Sequence, residues 1–142
     1  LSLRLNYNLE RTLAALRVTR KDLDTTGELE NCLNSRTFMV RDAGNGIKLS
    51  FLDGRIYYIE CSQKFKGSIV GIRIGDKKSV LSRRFGTPEF ERQSQQNYKY
   101  LGQEITVIFD PVKNEVSQIR IYDNDKFKKA AKIRKASAGN RY

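Results

Sequence analysis

A chain of 142 residues has room for one ordinary domain and excludes separate catalytic and binding domains. With 39% hydrophobic and 30% charged residues, two prolines and no Gly/Ser-rich tract, wholesale disorder is excluded and a folded core expected. The formal charge of +11 points to acidic partners, and the absence of histidine removes the Ser-His and Cys-His nucleophile pairs and the commonest metal ligand.

The chain opens on Leu1 rather than Met, which reads as removal of an upstream segment and leaves cytoplasm and bacterial periplasm both open as compartments. From Ser2, SLRLNYNLERTLAALRV gives a short apolar entry, a polar cap at Asn8 and a helix carrying Leu9, Leu13 and Leu16. Three strands follow, at about 38–42, 46–52 and 55–61, the last two joined by Asp53-Gly54. Cys32 and Cys61 form one bridge in an oxidising space or are small buried apolar residues in a reducing one, and they show no C-x-x-C spacing. Next comes GIRIGDKKSVLSRRFGTP, with Asp76 as expected N-cap, an apolar stripe of Val80, Leu81 and Phe85, and Gly86 and Pro88 as the stop. Three more strands are expected at about 96–101, 104–109 and 115–122.

These halves resemble each other. Ile47, Leu49 and Phe51 align with Ile105, Val107 and Phe109, and past the turn Ile56, Ile59 and Cys61 align with Val116, Ile119 and Ile121. The expected fold is therefore α+β: two tandem repeats, each a helix plus a three-stranded antiparallel meander, spanning 1–62 and 63–124 of one compact domain, with a basic tail at 125–142. Two meanders side by side make a sheet covered by helices on one face and open on the other.

Strand alternation assigns Phe38, Val40, Leu49, Phe51, Ile59 and Cys61, with Tyr98, Tyr100, Val107, Phe109, Ile119 and Ile121, to the covered side. Met39, Lys48, Ser50, Tyr58 and Glu60, with Lys99, Thr106, Ile108, Gln118 and Arg120, then point outward. An aromatic, a methionine, an isoleucine and mixed charges fit a protein-binding face, with Tyr58, Met39, Ile108 and Arg120 as anchors. The plain counterpart is a solvated sheet face.

Catalysis is not expected. Asp53, Asp76, Asp110, Asp123 and Asp125 sit at turns or caps, where Asp bonds its own backbone, and no phosphate-binding glycine motif occurs. No catalytic residue, metal ligand or cofactor is assigned, and no run approaches the roughly 18 apolar residues of a membrane span. Residues 125–142 hold seven basic residues and one acid. Through Lys126, Lys128, Lys129, Lys132, Arg134 and Lys135 this tail would bind nucleic acid or an anionic surface, or would simply be solvated. Residues 126–135 also have the pattern of an amphipathic helix with Phe127, Ala130, Ala131 and Ile133 on its apolar side.

Over residues 71–122, the order Ile74-Gly75-Asp76, Val80-Leu81, Phe85-Gly86-Thr87-Pro88, Tyr98-x-Tyr100 and Ile105-x-Val107-x-Phe109-Asp110 resembles a bacterial pattern. It is similar to the repeat of the beta-lactamase inhibitor protein and the SmpA/OmlA outer-membrane lipoproteins. That resemblance implies a sheet that grips another protein, such as an acidic toxin or enzyme, in an inhibitor, an immunity protein or an envelope assembly factor. Val18-Thr19-Arg20 in place of a helix stop, and the basic tail, depart from the pattern. The expected function is a non-enzymatic protein-binding module that occludes its partner, with polyanion binding through the tail as the alternative.

Overall fold

The computed structural model describes residues 2–25, 35–40 and 46–139. In chain order, β1 (Ser2–Leu3) leads into α1 (Leu9–Leu16), followed by β2 (Leu23–Thr25), β3 (Ser35–Val40), β4 (Lys48–Leu52), β5 (Arg55–Cys61) and β6 (Ser68–Ile69). Then come α2 (Lys78–Phe85), β7 (Phe90–Arg92), β8 (Gln95–Tyr100), β9 (Gln103–Phe109), β10 (Val116–Tyr122) and α3 (Asn124–Gly139).

Local chemistry sets the first helix. Asn8 is extended and its side chain accepts the Arg11 N–H at 2.9 Å, which satisfies one of the orphan donors of the first turn. Leu13 and Leu16 turn inward, and Arg17, at φ 57°, ends the helix in the left-handed region. A 3-10 turn at Arg20–Asp22 follows, in which Asp22 accepts from the Thr19 N–H at 2.8 Å. Sequence pattern alone left this end undefined because Arg17 does what glycine usually does.

Asp53 and Gly54 both take positive φ, 53° and 77°, as a two-residue hairpin turn between right-twisted strands requires. Such hairpins build an eight-stranded antiparallel sheet in the order β2-β3-β4-β5-β10-β9-β8-β7. A short parallel pair, β1 with β6, lies outside it. The main core fills the face under α1 and α2, with Leu16, Leu81, Leu49, Phe51, Ile59, Cys61, Val107, Ile119 and Ile121 all buried in one cluster. The side chains of Phe38 and Val40 lie outside the described residues.

The architecture is α+β with an antiparallel sheet, and several finer expectations need correction. Edge strands β2 and β7 extend the sheet beyond the expected meanders. Too short for an alternation signal, they were invisible in sequence. Asp76 does not cap α2: the helix starts after Lys77 with no side-chain cap, while Asp76 accepts the Arg73 N–H at 2.9 Å and so closes the turn before the helix. Tyr100 has the core's parity but is 41% exposed, its ring edge to face with Phe85 at the end of α2. The sheet's second face is not fully open either, for α3 packs across one corner of it.

Burial at the centre should dominate stability. Ile59→Ala is expected to lower the unfolding free energy by about 3 kcal/mol and Asn8→Ala by about 1 kcal/mol, both read by chemical denaturation, whereas Lys99→Ala stays within about 0.5 kcal/mol.

Candidate binding face

The face opposite α1 and α2 is built by register. One cross-strand row runs Asp24, Met39, Lys48, Glu60, Arg120, Thr106, Asn97 and Phe90 through all eight strands. A second carries Ser50, Tyr58, Tyr122, Glu104 and Lys99, and a third Gln118, Ile108, Gln95 and Arg92. Every residue expected to point outward therefore occupies this face by register. The Met39 side chain lies outside the described residues, and Ser50 and Thr106 are buried between larger neighbours.

Electrostatics concentrate at the β5–β10 junction. Arg120 Nε lies 2.9 Å from Glu60 Oε1, close enough for an ion pair, although its N–H is not aligned on that oxygen as a hydrogen bond. The same oxygen accepts the Tyr58 hydroxyl at 2.9 Å. Lys99 and Glu104 form a looser pair at 3.7 Å. Lys48, Ile108 and Gln118 are half-exposed.

Tyr58 does not stand free. The tail residues from Asn124 form α3, capped by Asp123, whose side chain accepts the Lys126 N–H at 3.1 Å while its own N–H bonds the Tyr57 carbonyl at 3.0 Å. This anchorage sets Phe127 over three tyrosines, with ring centroids 6.4 Å from Tyr57, 5.9 Å from Tyr58 and 5.1 Å from Tyr122. Ala130, one turn on, is buried against Leu52 and Tyr57. The spacing of Phe127, Ala130 and Ala131 was the signal for a helix. What it could not show was that its landing place is the sheet's own outer face.

The basic residues of α3 divide accordingly. Lys126 Nζ donates to Asn6 Oδ1 at 3.1 Å, and Lys129 pairs with Asp53 at 3.7 Å. Lys128 and Lys132 are exposed, and the side chains of Arg134 and Lys135 lie outside the described residues. Residues that sequence reasoning passed over are Tyr122 and the edge-strand pair Phe90 and Arg92, whose guanidinium lies 5.0 Å from the Phe90 ring centroid.

Burial raises several acids here and beneath. The Cys61 thiol is pushed up to about 12 by burial, and Cys61 is not in a disulfide. Burial and the Glu60 carboxylate hold the Tyr58 hydroxyl above its ordinary range, and burial, then Glu104, does so for Tyr122. Among the described residues, no cluster of His, Cys, Asp and Glu could hold a metal ion, and no helix is long and apolar enough to cross a membrane.

No protein-family model and no curated protein sequence matches the chain. Two solved structures share its fold. One is a cysteine-rich secretory protein from Staphylococcus aureus, with TM-score 0.61 and 10% identity over 86% of this chain and 44% of that one. The other is an extracellular protein containing an SCP domain from Bacillus anthracis, with TM-score 0.62 and 8% identity over 86% and 45%. The chain thus spans less than half the length of these proteins. They correct the resemblance to the beta-lactamase inhibitor protein and the SmpA/OmlA lipoproteins, because the neighbours in structure are SCP-domain proteins. The pattern rested on helix punctuation, and its glycine-aspartate start fails physically where Asp76 closes a turn instead of capping α2.

A pH dependence follows. Cys61, Tyr58 and Tyr122 have folded values raised above the unfolded ones, so their contribution is complete below the unfolded values, 9.0 for the thiol and 10.0 for the phenols, and is lost as pH rises through the folded ones. Melting temperature should fall steadily from about pH 9 upward. Iodoacetamide at about pH 8 should leave Cys61 unmodified in the native chain and alkylate it in guanidinium.

Proposed function

We propose that this chain is a non-catalytic module that binds another protein through the outer face of its sheet. The observation that carries this reading is the row from Lys48 through Glu60 and Arg120 to Asn97, a continuous strip of polar and charged side chains across the middle of the sheet, bordered by half-exposed Ile108. Mixed polar strips with an apolar anchor suit protein contacts better than small-molecule ones, which favour concave apolar sites. The net charge of +11 favours an acidic partner and faster encounter with it. An inhibitor, immunity or assembly role was an implication of the resemblance set aside above and has no other support. An extracellular setting is part of the proposal, supported by the descriptions of the two structural neighbours as secretory and extracellular.

We further propose that the halves before and after residue 62 are copies of one unit. Support comes from the strand order, in which β2-β3-β4-β5 and β10-β9-β8-β7 mirror each other about the β5–β10 pair, each set preceded by a helix.

The second reading, polyanion binding through α3, is favoured by one observation: docking of Phe127 and Ala130 turns Lys128 and Lys132 to solvent on a fixed helix. Removing α3 would expose Tyr57 and Leu52, so point substitutions are the cleaner probe.

Lys48→Glu combined with Ile108→Asp should abolish capture of the partner that the unaltered chain retains from its source, with a melting temperature within about 2 °C of the parent. Retention of that partner by the double variant would refute the face. Lys128→Gln with Lys132→Gln should leave the same partner bound. If instead these changes lower the salt needed for elution from heparin and the partner proves to be a polyanion, α3 is the binding element.

A further inference from the structure

We propose that the cavity between the C-terminal end of α2, the turn after β6 and the β8–β9 hairpin binds a small amphipathic carboxylate, an anionic head on an apolar body. The cavity measures about 400 Å³, within the range of small-molecule sites, and lies on the helix-covered side, away from the face proposed above. Two arginines line it, Arg4 and Arg84, with Gln103 and no acidic residue.

The two arginines are placed differently. Arg84 is held in position, one nitrogen donating to the Gly71 carbonyl. A Cβ at Gly71 would lie 2.7 Å from that nitrogen, so any other residue there would push the guanidinium from this place. Its remaining N–H groups stay available for a ligand. Arg4 directly follows β1, whose Leu3 pairs with Ile69, and so lies beside Val70; it has no hydrogen bond or ion pair among the described residues. Two planar forks and one amide match a carboxylate, which takes parallel N–H bonds in one plane.

The apolar half of the cavity is more unusual. Phe85 and Tyr100 meet edge to face at 5.5 Å, and Tyr100 is 41% exposed. At the rim stand Val70 and Leu101, at φ 53° and 50°, each followed by a glycine at positive φ in a two-residue turn. Left-handed backbone suits Asn, Asp and Gly, and elsewhere the chain places Asn6, Asp53 and Asn114 there, with Arg17 at the end of α1. A β-branched valine fits this backbone poorly, though Val70 packs in part against the core, and Leu101, 83% exposed, has no burial to offset the cost. Both border the same cavity. Two apolar residues in this conformation at one concave site, Leu101 with its side chain in solvent, are the pattern of a ligand clamp.

The probe is 4-phenylbutyrate, with 4-phenylbutanol as its uncharged counterpart and inorganic phosphate as an anion without an apolar body, all followed by amide chemical shifts. Phenylbutyrate should bind saturably with Kd below about 1 mM, moving the amides of Gly71, Leu101 and Gly102, while phenylbutanol and phosphate bind about tenfold more weakly or not at all. Arg4→Gln, which breaks no hydrogen bond or ion pair among the described residues, should weaken binding about tenfold, and Arg84→Gln at least as much. Leu101→Asn should raise the melting temperature and still weaken binding, which a merely structural turn residue would not do. The proposal is overturned by no saturable shift at about 10 mM probe, by equal binding of phenylbutanol, or by Arg4→Gln binding as the parent does. Phosphate binding alone would also overturn it. None of these outcomes bears on the outer sheet face.

Discussion

Everything in this chain depends on the pairing of β5 with β10. Four cross-strand pairs meet there, and each is matched: Cys61 with Ile119 and Ile59 with Ile121 on the covered side, Glu60 with Arg120 and Tyr58 with Tyr122 on the other. The inner four are fully buried, and the outer four supply an ion pair and a stacked ring pair with centroids 6.2 Å apart. Cross-strand pairs of this kind contribute about 0.2–1 kcal/mol each, on top of the apolar burial. A three- or four-stranded half with one short helix cannot bury its own apolar face. Joined along β5 and β10, the two halves share one core and one continuous sheet.

That junction also explains where α3 goes. Tyr58 and Tyr122 are neighbours only because β5 and β10 pair in this register, and together with Tyr57 they make the aromatic seat for Phe127. The Asp123 N–H bond to the Tyr57 carbonyl ties the helix start to the same strand. Hence one set of pairs organises the core beneath, the polar strip proposed for binding, and the docking of the basic helix beside it. The helix narrows the free face to the part bordered by Lys48, Arg120 and Ile108, and it converts Tyr58 from an exposed anchor into a support for α3.

Much of this was legible in the residues. Alternation from Ile47 to Phe51 and from Ile119 to Ile121 placed the core face, since a one-residue slip would have turned every apolar side chain to solvent. Asn8 was readable as a cap because its spacing to Leu9, Leu13 and Leu16 left it no other role. Less local features were not. The β-bulge opposite Ser50 and Phe51 puts Tyr57 as well as Tyr58 on the α3 side, and nothing in the alternation of β5 announces it. Asp76 looked like a cap because capping and turn closure use the same side-chain acceptor, and only the chain's path past Arg73 decides between them. The cavity beside Arg4 and Arg84 joins residues from both ends of the chain's first hundred, so no local pattern pointed to it.

Native-state hydrogen exchange tests the central claim most directly. If β5 and β10 hold the halves together, the amides of Ile59, Cys61, Ile119 and Ile121 exchange most slowly of all and only through global unfolding, with a single denaturant dependence for both halves. Faster exchange at β5 and β10 than within β4 or β9, or separate unfolding of the two halves, would contradict it.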